Sequence, residues 1–116
     1  MKTSSAKAKG RRCSQEVKDL LLQAGGIADQ DIIVTPSGVT GPDLLLSLSV
    51  NNRFPFVIEC KAQEKLNIWK ALSQAENHQK CMEHHEPVLF FKRNRSKLYV
   101  ALDADYFLKN FRGIKK

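Results

Sequence analysis

Residues 41–61, GPDLLLSLSVNNRFPFVIECK, decide the fold of this 116-residue chain. The run from Asp43 to Val50 predicts a strand, and Asn51-Asn52 predicts the turn that ends it. Phe56 to Lys61 predicts a second strand, opened by Pro55, where a missing N–H is tolerated. Side chains alternate along a strand, so Glu59 and Lys61 share one face and Cys60 takes the other. If the strand starting at Asp43 pairs antiparallel with its neighbour, the Asp43 carboxylate approaches Glu59 at the end of the sheet. Two converging carboxylates make a hard oxygen site of the kind Mg²⁺ takes, with Mn²⁺ as a substitute and water completing the shell. The backbone carbonyl of Cys60 lies beside that site as a further oxygen. Lys61 is then placed to orient or deprotonate an attacking water, or to hold a phosphate.

Outward from this stretch the chain reads as alternating helices and strands. Cys13, Val17, Leu20, Leu21 and Ala24 share one helical face, and Gly25-Gly26 stop it. Asp31 to Thr35 predicts a short buried strand closed by Pro36-Ser37-Gly38. A longer helix is predicted from about Asn67 to His84, with Ile68, Leu72, Ala75 and Met82 as its apolar stripe. Pro87 ends it, Val88 to Phe91 begins a strand, and Leu98 to Leu102 returns as another after a basic turn. Asp103 is placed to cap a last short helix. The order is αβββαββα, an α/β class in which a mixed sheet is flanked by packed helices. Residues 1–12 (MKTSSAKAKGRR) have nothing large to bury beyond Met1 and are expected to form a flexible basic arm. The folded domain is expected over 13–110, with a basic tail at 111–116.

Composition narrows the function classes. A hydrophobic fraction of 42% with 27% charged residues is an ordinary globular mix. No apolar run reaches the ~20 residues of a membrane span and no signal-peptide pattern opens the chain, so a cytoplasmic protein with no membrane partner is expected. The net charge of +7 favours a polyanionic partner. Three cysteines, an odd and sparse set, suit reduced thiols.

Pro42-Asp43 followed by Glu59-Cys60-Lys61 resembles the PD-(D/E)xK nuclease motif. The resemblance extends through KGRR at 9–12, Glu16, TPSGVTGPD at 35–43, FPFVIECK at 54–61, IWKALSQAENH at 68–78 and KRNRSKLYVALDADYF at 92–107. The ordered set is similar to small phage-encoded endonucleases assigned as Holliday junction resolvases, relatives of the archaeal junction resolvases. That resemblance implies a restriction-endonuclease-like fold and Mg²⁺-dependent hydrolysis of DNA phosphodiesters. It also implies a homodimer making paired incisions in four-way junctions, with no small-molecule cofactor. It implies Asp43, Glu59 and Glu16 as metal carboxylates, Lys61 as catalytic lysine, and Ser37 and Gln74 as further residues of the catalytic centre. The TPSGVTG loop is shorter and less charged than in the archaeal pattern.

Alternatives stay open on the sequence alone. Asp43 can cap a turn, Glu59 and Lys61 can form an exposed ion pair, and Glu16 can pair with Arg12 on its own helix. His78, Cys81 and His85, with His84 beside them, are zinc-type ligands on one helix. His78 and His85 are two turns apart, however, and nothing closes a tetrahedral set. Lys9, Arg11, Arg12 and Ser37, with Lys92, Arg93, Arg95 and Lys97 in the basic turn, are the candidate DNA contacts. Trp69 is a candidate interface anchor, a base-stacking ring or a packed core residue. The rival functions are a flap, single-strand or nonspecific nuclease of the same chemistry, and a non-catalytic nucleic-acid-binding protein.

Overall fold

The computed structural model describes residues 4–36, 38–79 and 85–111. Its elements are α1 (Ser4–Gln23), β1 (Ile32–Val34), β2 (Leu44–Leu46), α2 (Leu48–Arg53), β3 (Phe56–Ala62), α3 (Ile68–Gln79), β4 (Glu86–Lys92), β5 (Tyr99–Ala101) and α4 (Ala104–Asn110). The five strands form one sheet in the order β1-β2-β3-β4-β5. Only β3 and β4 run parallel, because α3 carries the chain across between them; the other neighbours are antiparallel. This is the mixed, helix-flanked α/β sheet of a restriction-endonuclease-like fold.

The two faces of β3 are covered by different helices. Ile58 and Cys60 turn towards α1 and pack with Cys13, Val17, Ile32, Leu44 and Val88 in the main core. The opposite face meets α3, whose Ala71 and Ala75 are buried. Such small residues let the helix axis approach the sheet closely. Because β3 and β4 are parallel, their C-terminal ends, Ala62 and Lys92, lie side by side. The β1–β2 loop and the start of α3 reach the same end of the sheet.

Three expectations need correction. Residues 4–12 of the expected arm are the first half of α1. Ala, Lys and Arg are good helix formers, and extending a helix already docked at Cys13 and Val17 avoids the cost of a new nucleus. The predicted strand 43–50 stops at Leu46, because Ser47 accepts a hydrogen bond from the Val50 N–H at 3.4 Å and caps α2. The element order therefore gains a short helix between β2 and β3. In α3, Ile68 stands partly exposed while Ala71 is buried, so the packed stripe is turned by one position from the expected one. The helix is described only to Gln79, and the expected extension to His84, the tail at 112–116 and residues 1–3 lie outside the described residues. Asp103 caps α4 as expected, accepting the Tyr106 N–H at 2.8 Å.

Candidate active site

Asp43 is placed by four hydrogen bonds around it. Its N–H donates to the Ile58 carbonyl at 2.9 Å, and its carbonyl accepts the Thr35 N–H at 3.0 Å. The Thr35 hydroxyl donates to the Pro42 carbonyl at 2.6 Å. The Asp43 carboxylate itself accepts the Cys60 N–H at 2.7 Å, within the short range of charge-assisted bonds. Gly41 reaches this strand entry with φ of +136°, a conformation that only glycine adopts freely. The two segments of the motif, separated by fifteen residues in sequence, are thereby fastened to each other.

Glu59 points the other way, towards α3. It is 4% exposed, and its Oε2 lies 2.9 Å from His78 Nδ1. A carboxylate only accepts, so Nδ1 carries the proton in this pair. The burial and the histidine partner exclude the exposed Glu59–Lys61 ion pair. Cys60, on the α1 face, shares a hydrogen bond with the buried Cys13. That bond, with desolvation second, pushes the Cys60 thiol far above its usual range. A thiol so placed is neutral and inert as a nucleophile.

A cleft of about 550 Å³ opens over this strand end. Asp43, Cys60 and Lys61 line its floor, and Lys7, Lys9 and Arg11 of α1 stand along its wall. The segment expected to be a mobile arm is thus the basic wall of the cleft. Lys7, expected with Lys2 and Lys9 as a phosphate neutraliser of a flexible arm, stands instead on a helix, for which the run of Ala, Lys and Arg was the available signal. Arg12 is exposed and is not among the lining residues. Arg93, Arg95 and Lys97 are exposed in the β4–β5 turn, where Arg95 takes a left-handed φ of +63°. Glu64 fastens that turn to the end of β3 by accepting the Asn94 N–H at 2.6 Å.

Glu16 and Lys92 meet each other. The Lys92 ammonium donates to both Glu16 oxygens, at 3.0 and 3.3 Å. Glu16 is therefore not paired with Arg12, and the expected convergence of carboxylates is not found: Glu59 turns to His78 on α3, and Asp43 lines the cleft without Glu59 or Glu16. Among the described residues no group of three or more His, Cys, Asp or Glu side chains is close enough to enclose a metal ion. Gln74 is exposed and borders a smaller cleft of about 310 Å³ together with Thr40, Gly41, Asn77 and His78. Ser37, Cys81 and His84 lie outside the described residues.

A family model described as "Phage putative PDDEXK endonuclease" matches residues 5–114. The chain belongs to this family. The letters of the family name are met here by Pro42-Asp43 and Glu59-Cys60-Lys61, on the two strands just described. No curated protein and no solved structure matches the chain. The match begins inside the first turn of α1, so the family span includes the basic helical segment.

The Glu59–His78 contact generates a stability prediction. Replacing His78 by Phe keeps a packed ring and removes the N–H, leaving a buried carboxylate short of a donor. The loss should be about 1–3 kcal/mol in urea denaturation. Introducing Glu59→Gln beside His78→Phe should recover part of it, since the neutral amide costs less to bury.

Proposed function

We propose that this chain is a divalent-metal-dependent DNA endonuclease that acts as a homodimer and resolves four-way junctions by paired incisions. The observation that carries the reading is the 2.7 Å bond from the Cys60 N–H to the Asp43 carboxylate, which sets both motif segments on the floor of a basic cleft. The donor set fits Mg²⁺ or Mn²⁺. Such ions are commonly held by one or two carboxylates, with waters and substrate phosphate supplying the remaining oxygens, so an all-protein cage is not required. Asp43, on the cleft floor, would hold the ion; Glu59, which points to α3 and bonds His78, would join it only by leaving that partner, with Glu16 and the Cys60 carbonyl as further oxygens. The bound ion supplies Lewis-acid stabilisation of charge at the phosphate and lowers the pKa of a bound water.

The residues of the chain divide the remaining work. Lys7, Lys9 and Arg11 neutralise backbone phosphates along the cleft wall, and Arg12, Arg93, Arg95 and Lys97 extend the positive surface. Lys61 orients the attacking water, or takes its proton as the neutral amine, or holds the scissile phosphate as the ammonium. The resemblance implies Gln74 near the metal or phosphate and Ser37 in strand cleavage. Paired incision needs two active sites, and a 116-residue protomer offers one. A two-fold dimer supplies the second.

Lys61→Ala should lower cleavage by about 10²- to 10⁴-fold, the usual range for a positioned acid–base group, while junction binding measured in EDTA persists. Asp43→Asn and Glu59→Gln should abolish cleavage and also weaken Mn²⁺ binding measured by calorimetry. Full activity in Lys61→Ala would overturn the mechanism, and cleavage that survives EDTA in the wild type would overturn metal dependence.

Combining Lys7→Ala with Lys9→Ala should flatten the slope of log K against log salt by about 2 on duplex DNA, if each lysine neutralises one phosphate. An unchanged slope would remove the α1 wall from the binding surface.

Light scattering should give a mass near twice 13.1 kDa, free and on an immobile four-way junction. A monomer in both states, with cleavage of flaps or matched duplex, would replace junction resolution by a simple nuclease activity.

A further inference from the structure

Trp69 is the chain's only tryptophan, and it is 80% exposed. Packing within its own domain is therefore excluded. Its backbone is firmly held all the same. It stands in the first turn of α3, where the Asn67 side chain accepts the Lys70 N–H at 3.1 Å and fixes the helix start. The connection from β3 is tied to the basic β4–β5 turn twice: the Gln63 N–H donates to the Lys92 carbonyl at 3.1 Å, and Glu64 accepts from Asn94 at 2.6 Å. Glu64 is the only acid between Ala62 and Lys70, and it is occupied by that bond. Lys65 and Lys70, both exposed, stand four residues before and one residue after Trp69 in the sequence. Trp69 follows Lys61 by eight residues, so the chain places it at most about 29 Å away, within roughly eight nucleotide steps of the cleft floor.

An outward-facing indole on a segment tied to the basic β4–β5 turn matches a single-stranded nucleic-acid platform, in which aromatic rings stack on bases while cations follow the backbone. A second copy of the chain fits less well. A two-fold interface repeats the same patch on both sides, so it would gather Lys65 and Lys70 of each protomer around the two rings with like charges opposed. We infer that Trp69 is a base-stacking platform that binds an unstacked nucleobase, so that the preferred substrates are DNAs with unpaired or unstacked bases beside a duplex, such as branch points, flaps and single strands. This rests on the DNA-nuclease reading above and adds the substrate feature that it recognises.

The lone tryptophan makes the test direct. Trp69 fluorescence is titrated in EDTA with a single-stranded oligonucleotide, an immobile four-way junction and a blunt hairpin duplex, while anisotropy of labelled DNA reports binding. Stacking should quench the fluorescence on the single strand and the junction, and much less on the duplex at equal occupancy. Trp69→Ala should weaken single-strand binding by roughly 5- to 150-fold, a larger loss than on duplex, and Trp69→Phe should restore part of it. Binding of all three DNAs without quenching, or equal losses on all three, overturns the stacking role. Fluorescence that changes with protein concentration in the absence of DNA assigns the indole to a second copy and also overturns it. Metal-dependent cleavage in a protein whose Trp69 ignores DNA defeats this inference alone, whereas a wild type that neither binds nor cuts DNA defeats the nuclease reading with it.

Discussion

The contact on which the rest of the structure depends is the double tie between Asp43 and β3. The backbone N–H of Asp43 donates to the Ile58 carbonyl at 2.9 Å, and its carboxylate accepts the Cys60 N–H at 2.7 Å. Strand β2 is Leu44-Leu45-Leu46, with apolar residues on both faces. A one-residue slip would exchange one leucine for another and cost little in burial, so the hydrophobic pattern alone does not set its register. The aspartate does. A charged acceptor bonded to an amide is worth about 1.5–3 kcal/mol, and a slipped strand would forfeit it. The same bond that registers the sheet therefore assembles the motif, and Leu44 enters the core beside Ile58 as a consequence.

The two faces of β3 carry different kinds of polar cost. On the α1 side the buried polar groups among the described residues are the Cys13 and Cys60 thiols and Ser14, and the packing is otherwise hydrophobic. On the α3 side the sheet buries a carboxylate, which a helix of small residues permits and His78 offsets. Asp43 and Glu59 are thus held by an amide and an imidazole N–H, neither of which is a lysine or arginine. Hydrogen-bond donors of this kind orient a carboxylate while leaving it available to a divalent ion, as the partners of metal-ligating carboxylates generally do.

How much of this was legible in the sequence differs from element to element. Strand β3 was readable because its alternation, its entry proline and its length agree with one another, and its Glu59/Lys61 geometry follows from the strand period alone. The end of β2 was not, because LSLS at 46–49 alternates as a strand does and only the three-dimensional position of the Val50 N–H turns Ser47 into a cap. The basic N-terminus was misjudged by treating lack of burial as lack of structure. Its residues bury little, yet they continue a helix whose next two turns are docked. The Glu59–His78 contact lay beyond sequence reasoning in detail, since it depends on the rotation of α3 over the sheet, and that rotation is set by Ala71 where the larger Ile68 and Leu72 had suggested another stripe.

The pairing of Glu16 with Lys92 shows the limit of assigning roles one residue at a time. The family resemblance gives Glu16 to the metal, and the basic turn gives Lys92 to phosphate; in the DNA-free protein each is the other's partner, at 3.0 Å. Both readings describe the same electrostatic need, because an acid and a cation at the cleft edge satisfy one another until something more highly charged arrives. Glu16 is exposed, and a pair at such a surface is worth about 0–1 kcal/mol. Separating the two therefore costs far less than breaking the Asp43–Cys60 tie. The candidate residues divide into a fixed part, Asp43 bonded to β3 and Glu59 turned away to His78 on α3, and an exchangeable part, Glu16 and Lys92, at the rim. Rigid strands set the fixed part to within a hydrogen bond's tolerance, whereas α1 and the end of β4 leave the rim free to change partners at little cost in stability.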